Sequence, residues 1–222
     1  NNTMDHCEIV ETTATSGQGA FYITGSSQAQ LQAALDKLTD VEFSNNITSS
    51  GALKIEYTGS ASAITLTTSS ITFSNNTKDI YWVAPSSSPL TLKQSGTSNA
   101  TTYLATNSNT VTIQNMRMFT VSNIIDGSAL RIVKKSDLSV LASADVIGAS
   151  PSGLTNVTVA SDTVDVGSYT ATYEYPYTTS TSVYVVVFKP GRKALRPEFA
   201  LTSGSQTLRV DQQVDRQYTN PA

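Results

Sequence analysis

The chain has 222 residues, 39% of them hydrophobic and only 14% charged, with a formal net charge of −3 and a pI of about 5.1. That length supports one large or two ordinary domains with real cores, and the acidic balance argues against a general nucleic-acid role, which needs a basic surface. The single cysteine, Cys7, excludes a disulfide within the chain, and the longest apolar run, 183–188, is far too short for a membrane-spanning helix.

Ser and Thr together number 62, so they fill the polar positions that Lys and Glu usually hold. Thr is favoured on the solvent face of strands, whereas Glu, Lys and Ala are depleted there, so the composition points to β-structure. Regularly recurring Val, Ile, Leu, Tyr and Phe argue against disorder. No charged-then-apolar leader opens the chain, and a first residue other than Met, Asn1, implies processing or trimming.

Residues 1–25 read as an acidic arm or a first strand pair, with Asp5, Glu8 and Glu11. The sole histidine, His6, lies between Asp5 and Cys7. Neighbours in an extended segment point to alternate sides, so "DHCE" does not make a metal set, and no metal or cofactor is expected. One His and one Cys give poor support to His-based or Cys–His catalysis.

Residues 26–39 carry the one amphipathic helix pattern. Ser26 or Ser27 can cap it, and Leu31, Leu35 and Leu38 form a narrow apolar stripe with Ala34. Gln30, Gln32, Asp36 and Lys37 face elsewhere. From 41 to about 123 the period is two: Val41/Phe43, Ile55/Tyr57, Ile64/Leu66, Ile71/Phe73, Ile80/Trp82, Leu90/Leu92, Val111/Ile113 and Met116/Met118. Polar turns separate these pieces, with no helix between them. The spacing suits a sandwich, a barrel or a β-solenoid, and the pairs Asn45-Asn46 and Asn75-Asn76 tilt it to the solenoid because Asn tolerates left-handed corners. No strict repeat is visible.

After 124 charges return and strands lengthen: 130–133, 138–141, 157–159, 169–177, 183–188 and 208–210. The alternation of Tyr169, Ala171, Tyr173, Tyr175 and Tyr177, returning through 183–188, reads as a β-hairpin in an antiparallel sandwich. The boundary falls at "SNIIDG", giving 1–123 and 124–222.

Ser27, Ala29, Leu31, Gln32, Ala33, Ala34, Leu35 and Asp36, followed by short β pieces with Asn/Ser/Gly corners, resemble the capping helix of the pectate-lyase-like right-handed β-helix family. In that family the helix covers the open end of the solenoid, where unpaired backbone invites edge-to-edge aggregation. The second half, with "GSALRI", "VYVVVFKPG", "PEF" and "VDQQVDRQY", resembles a β-sandwich of tailed-bacteriophage virion proteins. The fold expected is therefore mainly β: a short helix-capped β-solenoid or β-rich domain, then an immunoglobulin-like sandwich.

Candidate sites are few. Glu56 and Asp79 are two isolated carboxylates that a glycan-cleaving site would have to pair. Tyr81 and Trp82 form a candidate glycan platform, or a half-buried pair in the core. Tyr173, Tyr175 and Tyr177 cover one strand face, as a core edge or an interface. Lys189, Arg192, Lys193 and Arg196 form a solvated turn or a docking patch for an acidic surface. Five Asn-x-Ser/Thr sequons, at Asn1, Asn46, Asn75, Asn99 and Asn156, are about what chance supplies at this composition.

The resemblance implies a non-enzymatic virion structural protein of the tail, baseplate or capsid surface. It implies self-association, three-fold by preference, and contact with other virion proteins, with a host surface glycan as a further partner; neither nucleic acid nor membrane insertion enters. The alternatives are a receptor-binding or polysaccharide-degrading tailspike fragment and a secreted bacterial adhesin or filament subunit.

Overall fold

The computed structural model describes residues 4–10, 19–47 and 51–215. It is mainly β, in two compact units, 1–116 and 117–222. The division falls inside a long strand, ahead of the "SNIIDG" boundary, because alternation there runs on without a turn.

In the first unit the strands are β1 (Met4–Val10), β2 (Phe21–Gly25), β3 (Leu38–Ser44), β4 (Leu53–Tyr57), β5 (Ile64–Thr68), β6 (Ile71–Ser74), β7 (Ile80–Val83), β8 (Leu90–Gln94), β9 (Tyr103–Ala105) and the start of β10 (Val111–Ile125). Helix α1 (Gln28–Leu35) lies between β2 and β3. The strands form three parallel sheets, β1-β3-β6, β2-β4-β7-β9 and β5-β8-β10. The chain visits the three in rotation, so it winds as a parallel β-coil. Phe21, Leu53, Ile80 and Tyr103 are register partners on successive turns, and their positions show that each turn is shorter than the last.

Alternation sets the core. Val41 and Phe43, Ile71 and Phe73, Ile55 and Trp82, and Leu66 and Leu92 point inward and are buried. Phe43 stacks on Phe73 with centroids 5.4 Å apart, and Tyr57 on Trp82 at 6.2 Å. Burying each large apolar side chain contributes about 1.5–3 kcal/mol. Asn45 and Asn75 hold the same corner of successive turns in the left-handed region, at φ 55° and 53°. Behind them the Asn46 side chain is fully buried and donates to Asn76 Oδ1 at 3.0 Å, while Asn76 Nδ2 donates to the Phe43 carbonyl. The sequon at Asn46 is thus a structural ladder.

The helix is shorter than the expected 26–39. It ends at Leu35, with Ser27 as its N-cap and Asp36 as its C-cap. Leu38 opens β3 and packs from the strand. Asp40 adopts a left-handed conformation, φ 52°, and both Leu38 and Val41 are buried; their spacing imitates a helix. The helix closes one edge of the coil, with Leu31 and Leu35 in the core and Gln32 on the free side of β5. It takes the place of a third strand in the first turn, beside β5.

The second unit continues β10 and adds β11 (Ser128–Lys134), β12 (Val140–Ile147), β13 (Val157–Ser161), β14 (Ser168–Pro176), β15 (Thr181–Phe188), β16 (Glu198–Leu201) and β17 (Gln206–Arg209). One sheet runs β12-β11-β15-β16, and the other sets β13-β14-β10 with β17 parallel to β10. Their inner faces share one core of Phe119, Val121, Leu130, Ile132, Ala171, Tyr173, Val183, Val185 and Val187. The layering is that of an immunoglobulin-like sandwich. One strand departs from the constant-type order: β11, the second, sits with the third rather than the first, because the tight turn 135–139 joins it to β12 as a hairpin. The hairpin expected from β14 to β15 does not form. Those strands belong to opposite sheets, and the segment between them crosses the sandwich edge.

Candidate functional site

The outer face of sheet β2-β4-β7-β9 gathers the most organised exposed chemistry. Tyr22, Lys54, Tyr81 and Leu104 are register partners on four adjacent strands. Inward alternation of Ile23, Ile55 and Trp82 turns these neighbours outward. The Tyr22 hydroxyl donates to Glu56 Oε2 at 2.6 Å, so the ring reaches across from β2 to β4. Lys54 Nζ lies 4.9 Å from the Tyr22 ring centroid, 6.0 Å from that of Tyr81 and 3.5 Å from Glu56 Oε2. The Lys54 side chain keeps only 18% of its exposure, whereas Tyr22 keeps 48%. Lysine stems commonly lie along apolar surface; here the Lys54 side chain lies largely covered between the two rings and Glu56, and the Tyr22 ring is left open.

In the sequence the conspicuous feature is instead the adjacent pair Tyr81 and Trp82. These cannot form one platform, since neighbours in a strand point to opposite faces. The Trp82 indole is wholly inside the coil and donates its N–H to the Ser88 carbonyl at 2.8 Å, so it is a core residue, not a glycan surface. The signal for the row is positional: the second residue of "FYITG", "LKIEY" and "IYWV" falls at the same outward place.

Glu56 and Asp79 are not brought together. Asp79 precedes Ile80, the partner of Leu53, so the two carboxylates stand four positions apart along parallel strands, roughly 13 Å. Asp79 is buried and accepts from the backbone N–H groups of Thr101 and Thr102 at 2.8 and 3.0 Å. It stitches one turn to the next. The side chains of His6 and Cys7 lie outside the described residues.

Leu31, Leu35 and Leu38 are all buried in the coil core. Gln32, expected to face elsewhere, faces the free side of β5. Its Oε1 accepts from Thr67 N–H at 2.8 Å, its Nε2 donates to the Thr67 carbonyl at 3.0 Å, and Gln28 Oε1 accepts from Thr65 N–H at 2.9 Å. The other end of the coil repeats the device on β6: Ser98 Oγ takes Ile71 N–H, and Asn99 takes both polar groups of Phe73.

In the sandwich, Tyr173 and Tyr175 are buried and Tyr177 packs against the same core, so the ladder is core rather than interface. Burial pushes both the Tyr173 and Tyr175 hydroxyls up from the ordinary tyrosine range, and Tyr175 donates to the Thr202 carbonyl at 2.9 Å. Of the basic segment, Lys189 bonds the Asp126 carbonyl, Arg192 donates to the Gln212 carbonyl at 3.0 Å, and the Arg196 guanidinium lies 4.2 Å from the Tyr184 ring centroid. Three of its four cations thus have a contact within the chain, and Lys193 and Arg196 are exposed.

The loop between β13 and β14 has a different character. The buried Asp162 carboxylate accepts the N–H groups of Asn123, Val164 and Asp165 at 2.8–3.1 Å, which holds its pKa below the usual carboxylate range. Arg209 grips Asp165 with two hydrogen bonds. On this braced frame Val164 and Val166 stand 82% and 96% exposed.

No helix of the described residues is long and apolar enough to cross a membrane. No family model, curated protein or solved structure matches the chain.

Proposed function

We propose that the chain is a non-enzymatic structural component of a bacteriophage particle, at the tail, baseplate or capsid surface, working through assembly contacts. The observation that carries this is the loop at Val164 and Val166. Each exposed valine forgoes about 1.5–3 kcal/mol of burial, and the loop is ordered in advance by Asp162, Asp165 and Arg209. A preorganised apolar knob avoids the ordering cost of binding and suits insertion into a partner's pocket. The coil supports the same reading. Its polar side chains Asn46, Asn76 and Asp79 bond one another or its own backbone, and Glu56 is engaged by Tyr22 and Lys54. Self-association, three-fold by preference, and contact with other virion proteins belong to this proposal.

Quantitative mass spectrometry of purified virions tests it. A fixed copy number is expected, in hundreds for a capsid component or in threes, sixes or twelves for a tail component. Absence from virions overturns the reading. Val164→Ser with Val166→Ser should lower incorporation at least tenfold while leaving the melting temperature of the free chain unchanged.

A further inference from the structure

At the edge of the sandwich lies an open cleft of about 730 Å³. One wall is Lys134, Lys135 and Ser136, at the end of β11 and the start of the turn to β12. The other is 178–182, where the chain crosses from β14 to β15. The two walls are fixed to each other: Lys134 and Val183 are register partners, and the Lys135 N–H donates to the Ser182 carbonyl at 2.9 Å. The turn is ordered as well. Asp137 Oδ1 accepts the Ser139 N–H at 3.0 Å and its hydroxyl at 2.6 Å, and the Leu138 N–H donates to the Lys134 carbonyl at 3.0 Å.

The chemistry of this lining is rich in donors. Lysine, serine and threonine alone supply it, with no carboxylate and no aromatic ring. The backbone N–H groups of Ser136, Thr179 and Ser180 donate to no group among the described residues, so they add to the donors facing solvent there. The two lysines are anchored but not used up. Lys134 Nζ donates to Asp137 Oδ2 at 3.1 Å and Lys135 Nζ to Glu198 Oε1 at 2.6 Å, one bond each, whereas an ammonium has three donors. Their side chains keep 39% and 45% of their exposure.

The geometry points to a binding site for a phosphate monoester. Hydroxyls, free N–H groups and two ammoniums around a cleft without a carboxylate suit an oxyanion, and a phosphate offers three strong acceptor oxygens where a carboxylate offers two. Charge-assisted bonds from the lysines are the stronger part of such recognition. The walls are ordered before the ligand arrives, which lowers the cost of binding. A phosphate group fills only a small part of the cleft and leaves room for what it is esterified to. With no aromatic ring to hold that remainder, recognition rests on the phosphate, so a small soluble ester and a lipid headgroup share the chemistry the cleft reads.

The test is a titration of the intact chain with glycerol 3-phosphate, followed by amide NMR, against sodium chloride at equal ionic strength. The amides of Ser136, Thr179 and Ser180 should shift and saturate with the phosphate and not with chloride. Lys134→Gln with Lys135→Gln should weaken binding about tenfold or more with the melting temperature unchanged, because exposed ion pairs add little stability. Glu198→Gln, which removes the charge beside Lys135, should tighten binding about twofold or more, a gain that a merely structural role would not produce. Shifts that chloride reproduces overturn the inference, as do a double variant that binds like wild type and a Glu198→Gln chain that binds no better. Sedimentation with phosphatidylcholine vesicles, with and without phosphatidic acid, separates the two sources. Pelleting that needs both phosphatidic acid and the lysines identifies the headgroup, and saturable binding of the soluble ester without pelleting identifies the free ester. The inference is independent of the assembly proposal: a chain missing from virions that binds phosphate sinks only that proposal, and one built into virions that binds none sinks only this.

Discussion

Gln32 holds Thr67 with both ends of its side-chain amide, accepting from the N–H at 2.8 Å and donating to the carbonyl at 3.0 Å, as a neighbouring strand would. Asn99 does the same to Phe73 at the other end of the coil, at 2.7 and 3.1 Å. Side-chain amides thus complete the ladders of β5 and β6, whose open edges would otherwise template aggregation.

Gln32→Ala should therefore cost about 1–2 kcal/mol in urea unfolding and raise the rate of aggregation at the midpoint. Asn99→Ala should behave alike. Urea midpoints and aggregation rates indistinguishable from wild type in both variants would show that water satisfies these edges equally well.

Leu35 is buried in the coil core, 2% exposed. Leu35→Asp should abolish folding of the first unit, because an unpaired charge in an apolar core costs more than a domain's margin. Circular dichroism and gel filtration check this. A soluble, cooperatively melting variant would mean that the helix does not pack as described.

Trp82 is the only tryptophan and lies wholly inside the coil, stacked on Tyr57. Its emission should be blue-shifted in the native chain and move to the red in denaturant, reporting the first unit alone. Trp82→Phe should destabilise by about 1–3 kcal/mol, since a smaller ring leaves a void and the Ser88 carbonyl loses its donor. A native emission maximum typical of water-exposed indole contradicts this placement.

Asp162 has a depressed pKa in the fold, held down by three backbone N–H groups, with that of Asn123 the strongest. Asp137 is lowered to about 2 by Ser139 and Lys134. For both, the unfolded chain binds protons more readily. Their contribution is fully present above the unfolded carboxylate value of about 3.9 and fades as pH falls through the lower native values. The second unit should thus lose stability below about pH 4, and Asp162→Asn should flatten that acid limb and cost about 2–3 kcal/mol at neutral pH. An acid limb of unchanged steepness in the variant would assign the effect elsewhere.

The strands of the coil are legible in the sequence because each buried position alternates with a polar one, as Ile55, Tyr57, Ile80 and Trp82 show. The short edge strands β9 and β16 are not: Tyr103 and Leu104 are both exposed, so "YLA" lacks the alternation, and "EFAL" has one buried residue. The helix end is obscured because Leu35, Leu38 and Val41 fall at even, helix-like spacings, which the left-handed Asp40 produces within a strand. The Tyr22 row is hidden because its members are distant in the chain, on separate turns, and only the winding makes them neighbours. The β14–β15 pair deceives for a different reason: alternation shows that each is a strand but carries no sign of which strand it joins.

The winding has one more implication. A coil of equal turns can lengthen by copying one of them, since every copy meets its neighbours as the original did. Successive turns here shrink from Phe21 to Leu53, Ile80 and Tyr103, and the edges are closed by Gln32 on one side and Asn99 on the other, so no turn can replace another. An inserted copy would set mismatched corners above one another and part Asn46 from Asn76. Duplication of one of these turns should therefore be poorly tolerated, and sequence variation should appear in the loops and on the outer face instead.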